Sequence, residues 1–302
     1  MFLEQPKAES VGPKINPYLI LTAAIFGVSF GSLFAKLSDA PSLIIATYRN
    51  GFATLILAPF ALTLYRREIM AVSRKDFLEA LASGIFLALH FAVWIASLDY
   101  TSVASSTVLV TTQPIFVVIG SFLILKEPVA GKAIASGSLA LVGSVIIGFS
   151  DFTIGGDALW GDFLALSGAV FIAGYVLIGR RLRQRMSLVA YTFVVYGTCS
   201  LTLVIMDLVS GTPLHPYSAY NWTLFLGMAL IPTIMGHSLL NWGLKFLPAS
   251  TVSVSVLGEP VGASILAWIF LSEIPTMEQA FGAALILLGV YLFMKFSLPK
   301  VE

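Results

Sequence analysis

Residues 98–127 read LDYTSVASSTVLVTTQPIFVVIGSFLILKE, and residues 244–273 read LKFLPASTVSVSVLGEPVGASILAWIFLSE. At an offset of 146 positions the two stretches align without a gap, with Leu98 on Leu244, Val108 on Val254, Pro114 on Pro260, Ile119 on Ile265, Leu125 on Leu271 and Glu127 on Glu273. Carried further, the same offset sets Leu139, Leu141 and Gly143 on Leu285, Leu287 and Gly289. Each copy is one apolar run with its flanks. The number of such runs per repeat therefore decides the architecture, because an odd number sends the second copy through a membrane upside down.

Composition fixes the setting. The chain is 58% hydrophobic and 11% charged, with a mean hydropathy of +0.92, whereas a soluble domain carries about 25% charged residues. A net charge of +1 gives no footing for nucleic acid or an acidic partner. The single cysteine, Cys199, lies in an apolar run, so no disulfide framework exists. The opening MFLEQPKAESVGPKIN lacks an apolar core behind its basic residues, and the first span is expected to direct insertion itself.

Ten apolar segments follow, at 17–35, 43–64, 77–98, 104–125, 132–149, 160–179, 188–209, 222–242, 249–271 and 277–296. Lengths near twenty match helices crossing about 30 Å of hydrocarbon, and the short alternating segments of a barrel are missing from the pattern. The duplicated stretches are spans 4 and 9, so the repeat holds five helices. The reading is an all-α integral membrane protein of ten transmembrane helices as two inverted five-helix repeats. A cytoplasmic segment 1–16 precedes a first repeat at 17–150 and a second, inverted one at 157–297.

Charge tests the count. Of the 17 Lys and Arg residues, all but Lys36 and Arg49 collect on one side of the ten-span arrangement, in clusters such as Arg66, Arg67, Arg74 and Lys75, or Arg180, Arg181, Arg183 and Arg185. A miscount by one span would scramble that segregation. The positive-inside rule places both termini in the cytoplasm, at a cell (inner) membrane.

Ten helices in inverted fives, Arg49 within Ala46-Thr47-Tyr48-Arg49-Asn50, the mid-span Pro114 and Pro260, and the endings Leu125-Lys126-Glu127 and Leu271-Ser272-Glu273 make the chain resemble the EamA-type members of the drug/metabolite transporter superfamily, from about residue 17 to 297. The resemblance implies movement of a small metabolite through a central cavity between the repeats. It does not choose among the amino acids, purines, sugars and drugs that such scaffolds carry.

The residues lead to a similar place. Pro114 and Pro260 free the carbonyls of Val110 and Val256 near the bilayer midplane, where lipid cannot satisfy them. The result is a packed kink, a symmetric weak point for rocking, or both. Glu259 lies ten residues into span 9, with Gln113 as its symmetry mate. It reads as a proton-coupling carboxyl or as a hydrogen-bonded structural acid, and the resembled family often has an acid at this place. His90 and Trp94, one turn apart, share a helix face in the outer half of span 3 and are expected to line the cavity rather than merely pack. His237 and Asn241 repeat that spacing on span 8 nearer the cytoplasm, one position out of register. Arg49 reads first as structural, since the resembled family has it whatever the substrate, and second as a partner for a substrate carboxylate. Tyr175, Thr107, Thr111 and Ser253 complete the candidate lining, with Thr107 and Ser253 symmetry mates.

Other patterns carry little. Gly27-Val28-Ser29-Phe30-Gly31 fits G-x-S-x-G but lies mid-helix, where its glycine spacing reads as close helix packing. Asn221-Trp222-Thr223 is an accidental sequon. No H-E-x-x-H, CxxC or Walker pattern occurs, so neither metal nor cofactor is expected. The reading is a secondary transporter for a small organic metabolite, an amino acid or related compound and more readily exported than imported, with proton coupling open. An uncoupled facilitator of the same fold is the alternative. An integral-membrane enzyme acting on lipid is disfavoured by the scatter of its Asp, His and Cys residues. The expected partners are the solute and the bilayer, with oligomeric state open and a monomer sufficient.

Overall fold

A computed structural model describes residues 13, 15–101, 103–149, 156–272 and 274–297. Most of the expected N-terminal segment 1–16 and Glu273 lie outside the described residues. Ten helices follow the ten apolar runs: α1 Pro17–Leu37, α2 Ser42–Thr63, α3 Arg74–Ser97, α4 Ser106–Leu125, α5 Gly131–Phe149, α6 Gly156–Leu182, α7 Leu188–Ser210, α8 Ala219–Phe246, α9 Ala249–Leu271 and α10 Met277–Ser297. Among the described residues, nine are long and apolar enough to cross a bilayer by length and composition alone, and α5 is the shorter tenth. A surface helix, Arg66–Ala71, joins α2 to α3.

Helix starts follow the capping residues. Asn16, Ser73, Ser187 and Ser218 each accept a backbone N–H two or three residues on, at 3.0 to 3.2 Å, filling donors that the first turn leaves open. Ends are as local. Lys126 and Ser272, offset by the repeat distance, take left-handed φ values of 60° and 59°, and their N–H groups close on Ser121 O and Ala267 O. Lys126 and Ser272 thus sit on one repeated turn, held by a conformation that costs a non-glycine residue about 1–2 kcal/mol.

Packing obeys the same pseudo-twofold. α3 lies on α6 as α8 lies on α1, α4 on α6 as α9 on α1, while α2 meets α7 and α5 meets α10 across the axis. The α5–α10 contact is symmetric to the residue. A Cβ on Gly143 would meet Gly282 O and Ile286 N at 2.5 and 2.9 Å, and one on Gly289 would meet Ser136 O and Ala140 N at 2.7 and 2.6 Å. Positions 136 and 140 are the mates of 282 and 286. Small residues let these backbones touch where lipid offers no hydrophobic drive. The Gly27–Gly31 face packs likewise, Gly27 against the Gly236 backbone and Gly31 against the Trp94 ring.

Candidate functional site

The symmetric prolines break α4 and α9 at the centre of the molecule. In the first half the helix runs Val103–Val110 and resumes at Gln113–Gly120, bridged by the short-range bonds Thr112 N–H to Leu109 O and Ile115 N–H to Thr112 O. In the second half Ala249–Ser255 passes through a 3₁₀ turn, Val256–Gly258, into Glu259–Leu271. Proline's missing N–H and its ring clash with the preceding turn account for both breaks. Val110 and Val256 both line a central cavity. Glu259 opens its half-helix, where the positive end of the backbone dipole favours a carboxylate.

The cavity draws on both halves: α1, α2, α3 and α4 from the first and α6, α8 and α9 from the second. Its free volume is about 50 Å³, room for a few waters against the roughly 300–1,000 Å³ of a metabolite pocket. In this conformation the cavity is too small for a metabolite-sized molecule.

Of the sequence candidates, Arg49, His90, Trp94, Thr111, Gln113, Tyr175, His237, Asn241, Ser253 and Glu259 line this cavity. Thr107 is buried in α4 but outside the lining, and Pro114 faces a separate apolar crevice between α4, α5 and α10. Pro260 shapes the wall without entering it.

The polar groups are fixed by specific partners. His90 Nδ1 lies 3.0 Å from Gly168 O. A carbonyl only accepts, so Nδ1 carries a proton, and Nε2 is left as an acceptor when the ring is neutral. The His90 and Trp94 rings stack at 5.9 Å with planes 7° apart, and Phe91 carries the contact on to His237 at 5.3 Å. Asn241 Nδ2 donates to Tyr175 Oη and to His237 O. Trp94 Nε1, Gln113 Oε1, Asn241 Oδ1 and Ser253 Oγ are buried without a hydrogen-bond partner among the described residues. Four unsatisfied groups around one small cavity are costly unless water or a ligand satisfies them.

Arg49 is held inside the protein. Its side chain does not reach for the interface but is 1% exposed at the cavity wall. Nε donates to Thr233 Oγ1 at 3.1 Å, and the guanidinium lies 4.1 Å from the centre of the Phe91 ring. Sequence alone could not aim this side chain, because α8 widens into a π-helical stretch over Ala229–His237, around Pro232, that presents Thr233 to it. α3 has no such stretch, which breaks the residue-for-residue register of α3 and α8 where His90 and His237 sit.

Polar contacts join helix ends on both sides of the cavity. Where α6 and α8 finish, Arg180 Nε meets Glu127 Oε1 at 2.6 Å and Nη1 donates to Leu244 O at 2.6 Å, while Glu127 Oε2 accepts the Ala249 N–H at 3.1 Å. Glu127 thereby caps α9 from the other half. Beside it Arg183 donates to Asn241 O at 3.1 Å, and burial pulls its guanidinium down to about 10. Where α1 and α3 finish, Lys36 Nζ donates to Leu98 O at 2.7 Å.

A sequence profile of the EamA-like transporter family matches residues 14–149 and again 159–295. The chain is 24% identical over 274 residues to the pseudopaline exporter CntI of Pseudomonas aeruginosa, covering 89% of this chain and 93% of that one. It is 24% identical over 291 residues to the uncharacterized transporter YxxF of Bacillus subtilis, covering 94% and 91%. It is also 24% identical over 279 residues to human solute carrier family 35 member G1, covering 88% and 74%. A solved crystal structure superposes with a TM-score of 0.76 at 18% identity, over 93% of this chain and 97% of the other, a likeness of fold.

Proposed function

Because the chain belongs to the EamA-like transporter family, we propose that it moves a small organic metabolite, an amino acid or related compound, outward across a cell (inner) membrane by alternating access. The observation that carries this reading is the closed cavity between inverted halves, walled by paired breaks at 110–113 and 256–259 and by polar groups without partners. Paired breaks give each half a place to bend, and polar contacts between helix ends tie the cavity's two sides, where the halves can part. The segregation of Lys and Arg supports cytoplasmic termini. Export is the direction named for the Pseudomonas relative.

Glu259 is the proton carrier in this reading. It is the one acid lining the cavity, it is 9% exposed, and neither carboxylate oxygen has a hydrogen-bond donor among the described residues. Gln113 at the mate position cannot titrate, so one proton site serves both orientations. The test is uptake of a panel of amino acids, nucleobases and sugars into proteoliposomes, with and without a pH gradient. Glu259→Gln should abolish gradient-driven accumulation and leave counterflow exchange measurable at saturating solute. Accumulation that ignores the gradient in the unaltered protein would make the chain an uncoupled facilitator. Transport of nothing in the panel would count against the solute class.

A further inference from the structure

Arg49 brings a cation and Glu259 a titratable carboxyl to one cavity without a direct ion pair between them. Both are buried, at 1% and 9% exposure, and they come from different halves, on α2 and α9. The three ion pairs among the described residues, Arg180–Glu127, Arg181–Glu79 and Arg185–Asp76, all lie elsewhere, so more than 4.0 Å separates the guanidinium nitrogens from the Glu259 carboxylate. A lone guanidinium at hydrocarbon depth is costly, and an anionic group in the cavity would satisfy it, while Glu259 is free to give up its proton when a cation lies beside it.

The guanidinium is held so that it can take such a group. Phe91 supports it and Thr233 holds Nε, which leaves the four N–H groups of its terminal nitrogens with no partner among the described residues. That fork matches a carboxylate bidentately. Glu259, on the first residue of its half-helix, accepts and cannot donate when ionised.

Resting on the reading of this cavity as the solute site, we propose that Arg49 and Glu259 form a two-point clamp for a zwitterion. Arg49 takes the solute's carboxylate and Glu259 its ammonium, with the His90–Trp94 stack beside them as the flat wall for the remainder. The solute class is then compounds bearing both groups, free amino acids and their close relatives, rather than simple organic acids or simple amines. Because the two residues belong to different halves, a bound zwitterion ties the halves together and favours the closed state, which neither a carboxylate nor an amine alone can do.

The experiment uses the full chain in lipid nanodiscs and three matched series: the common L-amino acids, their N-acetyl derivatives, and their decarboxylated amines. Binding is read by calorimetry and by thermal stabilisation. The expected result is binding of at least one amino acid, with its N-acetyl and decarboxylated analogues each weaker by about tenfold or more, since each loses a charge-assisted contact. Glu259→Gln should narrow the gap between the amino acid and its N-acetyl form, and Arg49→Gln the gap between the amino acid and its amine. Comparable binding of an amino acid and either analogue overturns the clamp on unaltered protein alone, whatever the variants do. Binding of no amino acid while a nucleobase or sugar is transported overturns the clamp and leaves the transport reading standing. Absence of any transport removes both.

Discussion

Lys36 and Arg180 make the same contact at opposite ends of the molecule. Lys36, at the end of α1, donates to the Leu98 carbonyl at the end of α3, and Arg180, at the end of α6, donates to the Leu244 carbonyl at the end of α8. Leu98 and Leu244 are repeat mates. Lys36, a cation at the end of α1 that stands outside the charge segregation, thus has a functional counterpart in Arg180, two positions from its strict mate Leu182. Each contact ties α1 to α3 or α6 to α8, the helices whose separation would open one mouth.

Loss of either tie should bias the protein in opposite directions. The Lys36 contact is half solvated, so we assign it about 1 kcal/mol, or roughly fivefold in the ratio of open to closed. With Cys199 replaced, a reporter at Ile95→Cys should react faster in a Lys36→Met background, and one at Val252→Cys faster with Arg180→Gln. Both reporter positions are buried in the closed state. Equal reactivity of each reporter in both backgrounds would remove any gating role from the two cations.

Gly143→Ala and Gly289→Ala should each destabilise the fold, because a methyl group at either place meets backbone atoms at 2.5–2.9 Å that cannot swing aside. Overpacking of this kind costs about 1–3 kcal/mol. Gly131→Ala, with nothing within 4 Å, serves as the neutral control. Thermal unfolding in detergent measures all three, and equal midpoints for Gly143→Ala and Gly131→Ala would show that α5 and α10 do not meet there.

Much of this architecture was legible because it is written in long-range repetition. The offset of 146, the apolar lengths and the charge segregation each led to ten helices in inverted fives, and the paired prolines marked both breaks. Helix edges fell short wherever the last turn is polar: span 6 was expected to stop at 179, yet α6 runs to Leu182 through Arg180 and Arg181, which contact other elements instead of water alone. The site was half legible. Spacing put His90 and Trp94 on one face, but no local signal marks a π-helical stretch or tells whether Arg49 turns toward solvent or inward to Phe91. Thr107 shows the limit of symmetry, since Ser253 lines the cavity and its mate does not.

Orientation is tested with the same single-cysteine background. Ala130→Cys, between α4 and α5, should be labelled by an impermeant maleimide only from the cytoplasmic side, and Ala219→Cys, at the start of α8, only from outside. Both positions are exposed. Labelling of the two from one face would contradict the inverted fives, whereas exchange of the two faces would keep the fold and reverse the termini.

Trp94→Phe separates recognition from packing more cleanly than truncation does. The indole is 4% exposed and its edge fills the space over Gly31, so an alanine there would open a cavity costing several kcal/mol and confuse the reading. Phenylalanine keeps most of the ring and the stack on His90 while removing Nε1, which is buried without a partner among the described residues. Deleting an unsatisfied buried donor should leave thermal stability unchanged or slightly higher. If that N–H is reserved for the solute, the same change removes one hydrogen bond from the bound state, about 1 kcal/mol, and raises Kd roughly fivefold for any transported compound. Stability held or raised together with weakened binding is the expected pair of results. Unchanged Kd with raised stability would make the indole nitrogen a packing defect and move recognition to His90 Nε2 and the polar groups of α8.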